Sequence, residues 1–169
     1  LLQDTQGRRT RVIDLGAGAG VLALICQYVA KPVATVAVEI QEQVAERLGR
    51  TMEAHGGQVT VVCGDLREPA VLADVTHRLG GEADLIVMNP PWFPAGWGRP
   101  SSNPSTHAST HALAGDVTDF LSASRRLLAP DGELFVVYDA ARLSLLLDAA
   151  GLAGFRIAGL LCIPDSRSD

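Results

Sequence analysis

Six short apolar runs, each separated from the next by a helix-like segment, constrain the fold of this chain more than any other feature. Residues 11–15 (RVIDL) are broken by Gly16, and residues 21–30 (VLALICQYVA) then supply about three helical turns before Lys31-Pro32 stops them. The β-branched run 33–38 (VATVAV) ends on Glu39. Residues 41–55 return to helix, with Val44, Leu48 and Met52 at four-residue spacing and Gly56-Gly57 as terminator. Residues 58–63 (QVTVVC) close on Gly64-Asp65, residues 69–79 read as helix, and residues 83–88 (ADLIVM) close on Asn89-Pro90-Pro91. A loop rich in Pro, Gly, Ser and Thr follows over 93–114. Beyond it the spacing predicts a helix over 117–128, a turn at Pro130-Asp131-Gly132, a strand over 133–138, a helix over 141–150 and a last strand over 155–163.

Apolar strands that alternate with helices in this way form a mostly parallel sheet with helices on both faces, an α/β fold. The 169 residues, 47% of them hydrophobic, suffice for one core, so a single domain over 1–169 is expected. The chain does not begin with Met, and Leu1-Leu2 read as the tail of an amphipathic helix, so the domain is expected to be a fragment incomplete at both ends. No apolar run approaches the roughly 20 residues that cross a bilayer, and the start lacks the pattern of a signal peptide, which predicts a cytoplasmic protein without a membrane partner. Cys26, Cys63 and Cys162 stand far apart among aliphatic residues and read as buried small hydrophobes. The net charge of −5 argues against a broadly basic nucleic-acid surface.

In open parallel sheets, ligands bind beyond the carboxyl ends of the strands. The first predicted strand ends in DLGAGAG, with Asp14 ahead of Gly16, Gly18 and Gly20. Glycines let the backbone turn sharply and let a ligand approach it, and the helix that follows presents unpaired N–H groups. A dinucleotide fingerprint would read G-x-G-x-x-G, and the carboxylate of Asp14 would repel a pyrophosphate. The same carboxylate suits an ammonium or a sulfonium, and S-adenosyl-L-methionine carries both.

On these residues the chain resembles the class I S-adenosylmethionine-dependent methyltransferases over nearly its whole length, and the resemblance implies their Rossmann-like fold. It also implies that Asp14, Gly16, Gly18 and Gly20 lie along the methionine part of S-adenosyl-L-methionine. Glu39 would accept from the ribose hydroxyls, Asp65 from the adenine amino group, and Leu66 would offer a backbone N–H to the ring. Each acid also has a plain structural reading: Asp14 and Asp65 as turn residues, and Glu39 as a charge at a helix start.

The fourth predicted strand ends in Asn89-Pro90-Pro91-Trp92, which matches the (D/N/S)-P-P-(Y/F/W) motif of methyltransferases that act on planar amide or exocyclic amino nitrogens. Such a nitrogen is a poor nucleophile because its lone pair is delocalised. The Asn89 amide oxygen and the Pro90 carbonyl are acceptors suited to grip two N–H donors, the rigid Pro90-Pro91 pair aims them, and Trp92 offers a stacking surface. Asn89 also borders the expected cofactor. The plain alternative is a rigid surface turn with a core indole.

A narrower resemblance is to the bacterial enzymes that methylate N6 of adenine 37 in a valine tRNA. It rests on Phe93 after the motif, on the Gly- and Pro-rich loop, and on LLAPDGELFVVYDAARLSLLLDAA. It implies a tRNA partner, with Arg99, Arg125 and Arg126 as sources of positive charge, although the arginine pair also reads as an ordinary solvated helix face. Methylation of glutamine in a protein release factor is the alternative, and a non-catalytic methyltransferase-like binding domain is a third reading. His107 and His111 stand four apart but lack the glutamate of H-E-x-x-H, so no metal is expected and they read as loop histidines near the substrate mouth. His55 and His77 read as surface residues, and Trp97 as packing the loop or touching substrate. The sequence does not set the oligomeric state.

Overall fold

The apolar runs at 11–15, 34–39 and 83–88 bury both of their faces and so take a strand on either edge and helices above and below. The computed structural model describes residues 10–56, 58–91 and 115–163. In chain order the strands are β1 (Arg11–Leu15), β2 (Ala34–Glu39), β3 (Val59–Cys63), β4 (Ala83–Met88) and β5 (Leu128–Val136). The helices are α1 (Val21–Ala30), α2 (Glu42–Ala54), α3 (Pro69–Leu79), α4 (Val117–Leu127) and α5 (Leu143–Leu152), the last preceded by a 3-10 turn over Ala140–Arg142. All four strand pairings are parallel, in the order β3-β2-β1-β4-β5. The chain winds outward from β1 to β3 and then returns to the other side of β1, so its order reverses between β1 and β4, where a crevice opens in such sheets.

Side chains alternate along each strand and thereby divide the core. Ile13, Leu15, Val36, Val38, Ile86 and Met88 pack with Leu72, Val75 and Leu79 of α3 and with Phe120, Leu121 and Leu127 of α4. On the opposite face Val12, Leu85 and Val87 meet Cys26 of α1, and Ala37 meets Ala23 of α1 and Leu48 and Met52 of α2. Complete burial of one such Leu, Ile or Val is worth about 1.5–3 kcal/mol, so the two layers carry most of the stability.

The predicted elements form with their ends shifted by a residue or two, and three expectations need correction. The fifth strand, β5, is longer than the predicted 133–138: it starts at Leu128, which pairs with Ala83, and takes up Pro130-Asp131-Gly132 as an irregularity in register before Glu133 pairs with Leu85. Residues 155–163 form no strand; among the described residues β5 is the edge of the sheet, and without a paired neighbour there an apolar run has nothing to fix it as extended ladder. Leu160, Leu161 and Ile163 are consequently exposed, and so is Cys162. Cys63 is exposed too, because it ends the opposite edge strand, which leaves Cys26 as the one cysteine that is buried as expected. His55 and His77 lie on the surface, as do Arg125 and Arg126, which end α4 where cations complement the helix dipole.

Helix α4 begins with a capping box. The Asp116 carboxylate accepts from the backbone N–H groups of Thr118 at 2.8 Å and Asp119 at 3.3 Å, while Asp119 accepts from the Asp116 N–H at 3.1 Å. The Thr118 hydroxyl and these N–H groups hold the Asp116 carboxyl below its usual range. Replacing Asp116 with Ala is expected to cost about 1–2 kcal/mol in urea unfolding at pH 7. Because the folded pKa is depressed, that contribution is present above the unfolded value and fades as pH falls through the folded one, so wild type and variant converge in acid.

Candidate cofactor-binding site

Register alone brings the motif residues together. Leu15 is level with Val38 on one side and Met88 on the other, and Glu39 is level with Cys63. The turns that follow β1, β2, β3 and β4 therefore open at one end of the sheet. They enclose a cleft of about 280 Å³ lined, among the described residues, by Gly16, Glu39, Asp65, Leu66, Asn89 and Pro91, with Phe120 from α4 and neighbours at the ends of β2 and β3.

The glycine turn is shaped by contact as well as by backbone conformation. Gly16, Gly18 and Gly20 all have positive φ, at 68°, 54° and 80°. A Cβ on Gly20 would fall 2.3 Å from both Leu48 Cδ1 and Met52 Cε, and one on Gly16 would fall 2.8 Å from the Phe120 ring. The turn can thus lie directly against α2 and α4 only because these positions carry no side chain. Ala17 N–H donates to Val38 C=O at 2.9 Å, which ties the turn to the end of β2.

Period two along β1 puts Asp14 on the α1 face with Val12, beneath the turn. Its side chain is 1% exposed, and Oδ2 accepts from Ala23 N–H at 2.9 Å. Gly20, which begins α1, has no side chain with which to cap it, so a strand residue supplies the acceptor instead. Burial pushes the Asp14 carboxyl up to about 7, and the nearby Glu39 charge adds to the rise. Asp14 supports the turn from below; it is not among the residues that line the cleft, and nor are Gly18, Gly20 and Pro90.

Glu39 both lines the cleft and braces it. Its Oε2 accepts from Gly18 N–H at 3.0 Å and its Oε1 from Gln41 N–H at 2.9 Å. Each oxygen keeps a further lone pair for a hydroxyl donor. Asp65 lines the far end of the cleft and carries a fork of hydrogen bonds from Arg67, whose guanidinium holds its carboxyl below the usual range. Leu66 packs on the core beside it. At the end of β4, Asn89 is exposed at the rim, Pro90 is buried and Pro91 faces the cleft. Trp92, Phe93, Trp97, Arg99, His107 and His111 lie outside the described residues.

Two contributors had not been read from the sequence. Phe120 reaches the turn from a helix distant in the chain, with no local signal. Arg67 stands two residues after Asp65, and this spacing is a usual sign of a side chain folding back on a local turn. Among the described residues no group of three potential metal ligands occurs, and no helix is long and apolar enough to cross a membrane.

Residues 1–97 match the family described as methyltransferase small domain. The chain belongs to that family. The tRNA1(Val) (adenine(37)-N6)-methyltransferase of Erwinia tasmaniensis is 30% identical over 152 residues, which cover 87% of this chain and 58% of that protein. The release factor glutamine methyltransferase of Corynebacterium glutamicum is 33% identical over 86 residues, 51% of this chain and 29% of that one. Among solved structures, the ribosomal protein L11 methylase of Lactobacillus delbrueckii subsp. bulgaricus superposes with a TM-score of 0.67 at 19% identity, covering 96% of this chain and 69% of that one. Membership and fold establish the expected class, a Rossmann-like α/β methyltransferase domain of a family that uses S-adenosyl-L-methionine as methyl donor. The chain spans 50–58% of the length of the tRNA1(Val) methyltransferases of Erwinia, Aeromonas and Tolumonas that it matches.

The buried acid gives this methyltransferase domain a pH signature. Since the folded pKa of Asp14 is raised, the folded state binds the extra proton between about pH 4 and about pH 7, and stability falls as pH rises through that window. Asp14→Asn keeps an acceptor for Ala23 N–H and removes the buried charge. The variant is expected to be more stable than wild type at pH 8, on the order of 2 kcal/mol, and close to it at pH 4. Parallel urea titrations at the two pH values check this.

Proposed function

We propose that residues 1–169 form a single methyltransferase domain, part of an S-adenosyl-L-methionine-dependent N-methyltransferase that modifies the exocyclic N6 of an adenine in tRNA. The observation that carries this reading is the placement of Asn89 and Pro91 on the same cleft as Glu39, Asp65 and Leu66. A strand end bearing acceptors for a planar amine thus borders a pocket whose acids and turn suit a nucleoside with an amino-acid tail. The tRNA1(Val) adenine-N6 methyltransferases among the relatives support the choice of nitrogen. A tRNA substrate also fits a cytoplasmic location.

The residues that line the cleft suit the nucleoside part of the cofactor. Glu39 has lone pairs for ribose hydroxyls, Asp65 would accept from the adenine amino group, and the Leu66 N–H would serve the ring. Gly16 keeps the turn free of side chains where the methionine portion passes, with Gly18 and Gly20 shaping the backbone and Asp14 supporting it. When bound, S-adenosyl-L-methionine supplies a methyl group activated on sulfur. The protein's part is then orientation: the Asn89 amide oxygen and the Pro90 carbonyl accept the two N–H bonds of the target amine and turn its lone pair toward the cofactor side. Pro90 and Pro91 hold these acceptors in place with little freedom to lose, and Trp92 stacks on the base. The chemistry of this donor set calls for no metal.

A second reading is favoured by the release factor glutamine methyltransferases of Corynebacterium glutamicum and Bacillus cereus, since a glutamine side-chain amide offers the same planar N–H pair. The test uses the full-length protein with tritiated S-adenosylmethionine and unmodified tRNA, followed by digestion to nucleosides. Label is expected in N6-methyladenosine, and Asn89→Ala is expected to reduce transfer by about 10²–10³-fold. Label in a release-factor peptide instead would select the second reading. Cofactor binding with no transfer to either would leave a non-catalytic binding domain.

A further inference from the structure

At the Asp65 end of the cleft, Arg67 occupies the carboxylate from three donor groups at once. Its backbone N–H donates to Oδ1 at 2.9 Å, Nε–H lies 2.9 Å from Oδ1 and 3.0 Å from Oδ2, and Nη2 donates to Oδ2 at 2.6 Å. An ionised carboxylate has about four in-plane acceptor directions, and these contacts engage both of its oxygens. An amino group reaching Asp65 therefore meets a carboxylate already spoken for by its own neighbour.

We propose that Arg67 is a specificity-setting residue of the adenine subsite, in which its guanidinium competes with the ring amino group for Asp65 and yields when that group arrives. The proposal rests on the reading of Asp65 as the acceptor of the amino group. The two kinds of bond differ in mobility. The backbone N–H of Arg67 belongs to the local turn and keeps Oδ1 aimed. The guanidinium belongs to a side chain 44% exposed, bonded to an Asp65 that is 23% exposed. Exposed ion pairs are weak, and the carboxylates of Glu68 and Asp119 also act on the guanidinium charge, so its bond to Asp65 is one that an incoming donor can replace. The incoming amino group then takes the place at Oδ2. A ring without a donor at that position could not repay the exchange, and Arg67 would stay on Asp65. Selectivity for an amino-bearing purine thus comes from what the ligand must displace as well as from what it contacts.

Calorimetric titration of the full-length protein with S-adenosylhomocysteine, and with its analogue lacking the 6-amino group, tests this. Arg67→Ala is expected to bind S-adenosylhomocysteine about three- to fivefold more tightly than wild type, the range set by an exposed ion pair, and the analogue unchanged. Arg67→Lys, which cannot form the fork, is expected to fall between. As an independent readout, the Arg67 Nε–H resonance of the wild-type protein is expected to move toward its solvent-exposed position on adding S-adenosylhomocysteine and to stay put with the analogue. Unchanged or weaker S-adenosylhomocysteine binding by Arg67→Ala would overturn the competition. Asp65→Ala separates the two ideas. A loss confined to the amino-bearing ligand supports the subsite, so that a missing gain in Arg67→Ala refutes only the role of Arg67. No loss at all in Asp65→Ala removes the subsite and the competition together.

Discussion

A buried carboxylate fixes the working end of this sheet. Glu39 receives the N–H groups of Gly18 and Gln41 on its two oxygens, so the glycine turn after β1 and the start of α2 are held to the end of β2 by one side chain. Both donors are backbone groups near element ends that have no partner within a helix or strand, and satisfying them recovers part of what it costs to bury the charge. Without that brace the glycine turn, which has little side-chain substance of its own, would be held chiefly by the Ala17 bond to Val38 and by packing against Leu48, Met52 and Phe120.

The same end of the sheet gathers acids in unlike surroundings. Asp14 lies beneath the turn, its carboxyl raised by burial and by the charge of Glu39, while Asp65 lies at the other end of the cleft with its charge held by Arg67. The two environments push the carboxyls in opposite directions: burial favours the neutral form of one, and a guanidinium favours the charged form of the other. Of the two, only Asp65 lines the cleft, so the charge that faces it there is the one the guanidinium keeps ionised, while Asp14 acts behind it.

Much of the fold was legible in the sequence because buried strands and helices have different periods and because the breaks fall on Gly, Pro and acidic residues. RVIDL, VATVAV and ADLIVM could hardly be other than buried strands, and the Leu48 and Met52 spacing marks the buried face of α2. The failures share a cause. FRIAGLLCI has the composition of a strand, but a strand exists only when a neighbour accepts its hydrogen bonds, and composition does not reveal neighbours. The same holds for the long β5, where pairing with Ala83 draws Leu128 into the ladder ahead of a Pro-Asp-Gly turn signal, and for Cys63, whose exposure depends on β3 being an edge.

The site divides along the same line. Sequence by itself determined which residues end the strands, and therefore that Gly16, Glu39, Asp65, Asn89 and Pro91 would share one end of a parallel sheet, because parallel strands place all their carboxyl termini together. Only the tertiary structure decided which of them face the cleft and which stand behind it. Asp14 turns under the helix it supports, Pro90 is buried, Phe120 arrives from a distant helix, and Arg67 folds back over Asp65. These choices depend on side-chain direction and on contacts between segments far apart in the chain, and local pattern carries neither.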